Sequence, residues 1–170
     1  DLANIIYYYG DENNSRKIAR RIVEYRKRSK ITTTTELANI IKNCFPSKYY
    51  KKHPATKTFQ AIRIYLNNEI EELCDGLNNA ARYLSRGGKI CIVSFHSIED
   101  RLIKKFFQFG GDNRDLNKNF LDKYRNKVVK PSSREIQINP RSRSAKLRFA
   151  TRNQNKFTSV KLSELGFEQA

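Results

Sequence analysis

The chain has 170 residues, of which 38% are hydrophobic and 30% are charged, and its formal net charge is +17. This length fits one domain or parts of two, and the composition is sufficient for a folded core. The sequence contains no apolar run of the roughly 18 residues that a membrane span needs. Residues 1–10 also lack the basic leader of a signal peptide. We therefore expect neither a membrane partner nor secretion.

The excess of positive charge predicts a polyanionic partner, because each lysine or arginine that neutralises a phosphate releases a condensed counterion. A lysine-rich compositional bias is the alternative, but arginine makes up almost half of the 34 basic residues. The three cysteines, Cys44, Cys74 and Cys91, form no CxxC pair and no cluster with histidine. This arrangement predicts no disulfide framework and no bound metal, and favours a reducing, cytoplasmic environment.

The first predicted elements are helices with basic faces. Residues 16–30 carry eight cations opposed only by Glu24, and Ile18, Ile22 and Tyr25 recur at helical spacing. The chain start already has a helical pattern and the sequence contains no methionine, so we expect a fragment of a longer protein.

A second short helix is expected to begin at a capping threonine before Glu36 and to end near Phe45-Pro46. These helices predict a small helical subdomain over residues 1–52. The basic and aromatic segment 47–54 is interpreted as a linker.

A long helix is predicted from Thr58 to Leu84, where apolar residues step by three and four in one stripe. We expect Gly76 to bend or divide it. Its other face is acidic and is expected to face away from nucleic acid; the acidic residues are Glu69, Glu71, Glu72 and Asp75.

Residues 89–94 form an apolar, β-branched run after a glycine turn, which predicts a buried strand in a parallel sheet covered on both faces. A helix is expected from Ile98 to Phe109, and its predicted core positions are Leu102, Ile103, Phe106 and Phe107. Residues 110–127 show no period and are interpreted as an irregular or mobile insertion.

Residues 144–152 alternate apolar and polar side chains, as strands do. Residues 153–170 are interpreted as a polar, loosely held tail. The pattern as a whole is α/β, with two convincing strands, too few for an independent doubly wound domain.

Three segments are candidates for a site. The first follows the strand and offers hydrogen-bonding side chains and a stacking ring at Ser94, Phe95, His96 and Ser97. In open α/β sheets ligands bind outside the carboxyl ends of strands, which favours function here. The alternative is structural, because Ser97 and Asp100 also fit a helix cap.

The other two segments are basic. In His53–Arg63, Thr56 or Thr58 is expected to cap the long helix, with Lys57 and Arg63 adding charge near a helix N-terminus. In Asn139–Arg148, the cations and serines suit phosphate contacts. For both segments the alternative is a set of solvated cations. The sequence has no GxGxG loop and no Walker motif.

The segments His53–Arg63, Gly87–Arg101 and Asn139–Arg148, in this order, resemble the RsmH (MraW) family of bacterial small-subunit ribosomal RNA cytosine-N4 methyltransferases. Residues 16–36 are similar to the family as well, and the resemblance covers about residues 1–152. It implies a partial Rossmann-like fold of an S-adenosylmethionine-dependent methyltransferase. It also implies part of an inserted helical domain that engages rRNA. Residues 1–52 would be the last part of that inserted domain, and residues 53–152 would be the C-terminal portion of the methyltransferase domain. Residues 153–170 would be the tail.

The resemblance also implies site residues. We expect His96, Ser94, Ser97 and Phe95 to form the catalytic pocket, whereas the cofactor-binding residues are expected in a preceding N-terminal part. The residues expected to bind substrate RNA are Arg16, Arg20, Arg21, His53, Thr56, Lys57, Arg63, Arg101, Arg141, Arg143 and Lys146.

The implied partners are small-subunit rRNA or the ribosomal subunit, with a separate N-terminal half as a further candidate. A non-enzymatic RNA-binding module and an inactive remnant are the alternatives. The sequence leaves open the oligomeric state and whether the chain is active alone.

Overall fold

The structure is a computed structural model that describes residues 1–46, 52–112, 118–122, 124–125 and 127–167. It divides into two compact units between Glu69 and Ile70. In chain order the elements are α1 (Leu2–Gly10), α2 (Ser15–Arg26), α3 (Thr34–Lys42), α4 (Thr56–Leu66), α5 (Glu69–Tyr83), β1 (Lys89–Ser94), α6 (Ser97–Gly110), α7 (Ser133–Ile138) and β2 (Lys146–Thr151). Within the described ranges, no helix is both long and apolar enough to cross a membrane.

The core of the first unit is aliphatic. Ile6 of α1, Ile18 and Ile22 of α2, and Ile41 of α3 are buried in one cluster. Helix α1 also packs along α4. The two backbones approach so closely at Gly10 that a Cβ there would lie 2.8 Å from the carbonyl oxygen of Lys57.

The predicted basic helix is confirmed as α2, which buries Ile18 and Ile22 and exposes its cations. The predicted threonine cap of the next helix is Thr33, whose hydroxyl accepts a hydrogen bond from the Glu36 amide at 3.1 Å. Helix α3 ends at Lys42, before the predicted end near Phe45. Residues 47–51 of the predicted linker lie outside the described residues.

The prediction of one long helix from Thr58 is wrong, because α4 ends at Leu66 and α5 begins at Glu69. Asn68 adopts the left-handed conformation with φ 50°, which an α-helix does not accommodate and which asparagine tolerates better than most residues. Gly76 lies inside α5, which continues to Tyr83, so it does not divide the helix.

The single apolar stripe predicted across this region does not extend through α4. Ala61 and Ile64 are buried there, whereas Leu66 is exposed. The break at Asn68 ends the helical phase on which a continuous stripe depends.

Both predicted strands are present, but the predicted parallel sheet is wrong. Strand β1 pairs antiparallel with β2, from Lys89 opposite Thr151 to Ser94 opposite Lys146. On the other edge of β2, isolated bridges join Leu147 to Val129 and Arg152 to Leu121.

Burial on both faces of the sheet is also not observed among the described residues, because burial alternates along β1. Ile90 and Ser94 point to the covered face, and Val93 points to the other face and is 53% exposed. Alternation of this kind is usual when an antiparallel pair is covered on one side.

Helix α6 covers the inner face of the sheet. Its predicted core residues are confirmed as buried; they are Leu102, Ile103, Phe106 and Phe107. The described part of the 110–127 insertion is irregular, as predicted, but it is anchored. Phe120 and Leu121 are fully buried and both amides donate to the carbonyl of Gly110.

The prediction of a loosely held tail is wrong for its described residues. The Asn78 side chain donates to the Val160 carbonyl at 2.9 Å and accepts from the Val160 amide at 2.8 Å. Val160 and Leu165 are buried, and Lys105 donates to the Leu165 carbonyl at 2.6 Å. Polar composition concealed these few apolar anchors.

Candidate functional site

The candidate site is the turn that connects β1 to α6. Strand β1 ends at Ser94, whose buried hydroxyl donates to the carbonyl oxygen of Lys146 at 3.5 Å. Phe95 follows with its side chain 57% exposed. The turn therefore presents an aromatic ring to solvent beside the point where β2 begins.

His96 caps α6. It has extended backbone angles, and its Nδ1 accepts from the Glu99 amide at 3.4 Å. The Glu99 carboxylate accepts in return from the amides of Phe95 at 3.0 Å and His96 at 3.3 Å. The predicted cap of Ser97 with Asp100 is therefore wrong by one residue, because Ser97 is already helical.

The imidazole of His96 lies largely buried against Glu99. Its Nε2 is 3.1 Å from Oε1 of Glu99, a close approach without the direction of a hydrogen bond, so this buried nitrogen has no hydrogen-bond partner among the described residues. Burial raises the pKa of Glu99, but the adjacent His96 side chain and the hydrogen bonds from the Phe95 and His96 amides outweigh it and hold that pKa below its ordinary value.

A buried ion cluster ties α6 to β2, and sequence reasoning missed it. Asp100 Oδ1 accepts from Arg148 Nε at 2.6 Å, and Oδ2 accepts from Lys146 Nζ at 2.9 Å and from Arg148 at 3.2 Å. Arg148 also donates to the hydroxyl of Tyr124 at 2.8 Å.

The cluster shifts the titration of its members. Burial raises the pKa of Asp100, but the hydrogen bonds and charges of Arg148 and Lys146 outweigh burial, so the net shift is downward. The bond to Asp100 raises the pKa of Arg148. One signal was available in the sequence: the strand period that places Ala150 inside also places Arg148 inside.

The RNA-binding residues predicted on α2 are exposed. Arg16 and Arg20 project into solvent, and Arg21 lies 3.4 Å from Glu24 in an exposed pair. A pair of this kind is weak and leaves most of the local charge excess available.

Three other predicted residues of the first unit, Lys57, Arg63 and His53, have structural partners. Lys57 donates to the Asp11 carbonyl at 2.7 Å, just beyond the end of α1, and Arg63 makes two hydrogen bonds to Glu69 at 2.7 and 2.8 Å. His53 is exposed and its Nδ1 accepts from the Ala55 amide.

The predicted threonine cap of α4 is wrong. The helix begins at Thr56, which is exposed, and the residue in the cap position is Ala55. Thr58 is fully buried, and its hydroxyl has no hydrogen-bond partner among the described residues.

In the second unit, Arg101, Arg141 and Arg143 are exposed, whereas Lys146 pairs with Asp100. Arg141 and Arg143 lie in the 3-10 turn Pro140–Ser144, which leads directly into β2. Lys146 is the point where these segments meet, because its carbonyl accepts from Ser94 and its ammonium pairs with Asp100.

The outer face of the sheet is apolar and open. Val93, Leu147 and Val129 form one row across the paired segments, and Cys91 lies opposite Phe149 in the next. Val129 and Phe149 are 49% and 42% exposed. Neighbouring exposed apolar side chains on one face are a feature of interaction surfaces.

The fold and the site define an α/β protein with a polar strand-to-helix turn and basic surfaces suited to a polyanion. The MraW methylase family matches residues 1–153, and the chain belongs to that family. The resemblance found in the sequence is confirmed.

Relatives support the same assignment. The chain is 48% identical over 162 residues to the ribosomal RNA small subunit methyltransferase H of Rickettsia canadensis (strain McKiel), covering 88% of this chain and 53% of that protein. It is 49% identical over 154 residues to the protein of that name from Sulfurihydrogenibium sp. (strain YO3AOP1), covering 89% and 51%. The chain thus spans about half the length of these relatives.

Proposed function

We propose that the chain is the C-terminal portion of an S-adenosylmethionine-dependent enzyme that methylates the exocyclic N4 of a cytidine in small-subunit rRNA. The observation that carries the proposal is the arrangement of family-like segments around one turn. Ser94 and Phe95 lie within the Gly87–Arg101 segment, and the Asn139–Arg148 segment runs into β2 at Lys146, which Asp100 holds in place. This reaction takes place where bacterial ribosomes are made, in the cytoplasm.

The proposed role of the turn is to hold the target base. Cytosine N4 is a poor nucleophile because its lone pair is delocalised into the ring, so catalysis depends on holding the amine in line with the methyl donor. An unstacked base is required. Phe95 supplies an exposed stacking ring and Ser97 an exposed hydroxyl for the base edge. The buried Ser94 and the largely buried His96 support the turn through their hydrogen bonds to Lys146 and Glu99.

The described residues do not fit a cofactor site by themselves. Strand β1 passes directly into the His96-capped helix, without the glycine-rich turn that a nucleotide cofactor needs. We propose that the cofactor contacts lie in the portion of the family's length that this chain does not span.

The apolar outer face of the sheet supports a partner of that kind. Val93, Val129 and Phe149 are exposed there, and the second edge of β1 has no strand beside it among the described residues. We propose that the N-terminal portion of a family protein, whether as a separate half or in one chain, packs on this face and edge and completes a Rossmann-like sheet.

RNA contacts are assigned by exposure and charge. The exposed cations of α2 support a role in rRNA binding for residues 1–52, the helical domain. Residues 53–152 are assigned to the catalytic portion. The remaining candidates lie in or just before α4, in α6, or in the segment that leads into β2, and are His53, Thr56, Lys57, Arg63, Arg101, Arg141, Arg143 and Lys146. The same basic helix favours an RNA-binding module without catalysis as the second candidate function.

Calorimetric titration with S-adenosylmethionine separates the two functions. The purified chain is titrated alone and then with the N-terminal half of a family member added. We expect heat of binding only in the second case. Absence of binding in both cases, from a chain shown by circular dichroism to be folded, would exclude a competent catalytic portion and leave the RNA-binding module.

A further inference from the structure

The backbone of the candidate turn is held by one carboxylate. Oε2 of Glu99 accepts from both the Phe95 and the His96 amide, at 3.0 and 3.3 Å. Hydrogen bonds to a charged acceptor are stronger than neutral ones, and these two amides precede the helix and have no partner within it.

The same helical turn is fixed to the sheet through its next residue. Asp100 is bound to Lys146 and Arg148 of β2, so α6 cannot rotate or slide without breaking this buried cluster. Glu99 therefore reaches the Phe95 amide from a helix whose position is already set.

Packing contributes little to the orientation of Phe95, because its ring is 57% exposed. The backbone therefore determines the point and the Cα–Cβ direction from which the ring projects. We propose that Glu99 is a positioning residue: by binding the two amides it fixes the exposed Phe95 ring as a stacking platform for the target base. This inference rests on the proposed function, in which Phe95 holds that base.

The test uses the complete chain and a single-stranded RNA that carries one 5-iodocytidine. Irradiation cross-links this nucleotide to an aromatic ring stacked on it, and mass spectrometry identifies the residue. We expect a cross-link at Phe95 that is absent from Phe95→Ala. Glu99→Ala should lower its yield about tenfold, a factor equivalent to about 1.4 kcal/mol of lost orientation.

Two further variants separate positioning from stability. Glu99→Gln keeps an oxygen that can accept from both amides, so it should restore the cross-link. Glu164→Ala removes a carboxylate that accepts from the Lys161 amide in an equivalent cap elsewhere in the second unit, and should leave the cross-link unchanged. RNA affinity should be equal in the three glutamate variants, because phosphate contacts dominate it and each variant removes one negative charge.

The proposal is overturned if Glu99→Ala cross-links at Phe95 as the unmodified chain does, or if Glu99→Gln is as deficient as Glu99→Ala. RNA binding without any cross-link at Phe95 in the unmodified chain would overturn the stacking platform as well. Methyl transfer as a function would not be decided by that result, because the cofactor titration does not depend on Phe95.

Discussion

Asp100 combines burial, charge and three hydrogen bonds to two cations. A buried pair adds little net stability compared with an apolar replacement, but removal of one partner leaves an uncompensated buried charge. In this cluster the charge left behind would be that of Arg148, which is itself buried.

We predict that Asp100→Asn lowers the free energy of unfolding by about 3 kcal/mol, because it leaves Arg148 without its counter-charge. Urea denaturation followed by circular dichroism measures the change. The matched control is Asp75→Asn on the exposed face of α5, which should change stability by less than about 0.5 kcal/mol. Equal midpoints for the two variants would contradict the assignment of a structural ion cluster.

The same carboxylate predicts a pH dependence. The folded-state pKa of Asp100 lies below its ordinary value of 3.8, so the unfolded chain binds the proton more readily. Its contribution to stability is therefore complete above that ordinary value and is lost as the pH falls through the lowered folded-state pKa. Denaturation midpoints measured between about pH 5 and pH 2 should fall less steeply for Asp100→Asn than for the unmodified chain.

At the scale of secondary-structure elements, replacing two helical glycines with alanine should change the stability of the chain in opposite directions. A Cβ at Gly10 would lie 2.8 Å from the Lys57 carbonyl and would force α1 away from α4, whereas a Cβ at Gly76 meets no atom within 4 Å. We predict that Gly10→Ala destabilises the chain by more than about 1 kcal/mol. Gly76→Ala should stabilise it by about 0.5–1 kcal/mol, since alanine loses less entropy in a helix. Thermal unfolding measures both, and equal signs would show that the close approach at Gly10 is not required.

The shortest polar contacts between α5 and the tail come from the side-chain amide of Asn78. Asn78→Ala removes both hydrogen bonds to Val160, each of which contributes about 1 kcal/mol. We predict faster hydrogen exchange at Val160 and earlier tryptic cleavage at Lys156 and Lys161. The control is Asn79→Ala, at the exposed neighbouring position, which should leave both rates unchanged. An unchanged exchange rate in Asn78→Ala would mean that the other contacts of the tail, among them the burial of Val160 and Leu165, are sufficient to hold it.

These elements differ in how far the sequence could predict them. Helix α2 and the core of α6 follow from local periodicity, which is fully contained in the sequence. The break at Asn68 has a signal in the sequence, because adjacent asparagines favour a turn, but the apolar stripe predicts a helix across it. The antiparallel pairing of β1 had none, since its partner β2 lies far along the chain and register is set in three dimensions.

The candidate site shows the same division between local and long-range information. The position of the Ser94–Ser97 turn at a strand end was predicted from sequence. The change of cap from Ser97 to His96 depends on one residue's backbone angles, and the Asp100 cluster depends on which face of β2 meets α6. Neither is encoded in local periodicity.

For the whole molecule, the +17 net charge predicts RNA binding that weakens steeply with salt. On single-stranded RNA each phosphate contact contributes about 0.7 to the slope of log affinity against log salt concentration. If the exposed face of α2 contacts the backbone, Arg20→Gln should reduce that slope by about this amount and weaken binding to all sequences equally. Fluorescence anisotropy with a labelled rRNA fragment at several salt concentrations measures the slope.

The control for this prediction is Lys156→Gln, which removes an equally exposed cation from the tail, outside residues 1–153 that match the family. We expect the slope to stay unchanged in this variant. Equal reductions in both variants would mean that the RNA responds to total charge instead of to a defined surface. The +17 charge would then act as a diffuse attraction, and α2 would lose its assigned role as the rRNA-binding face.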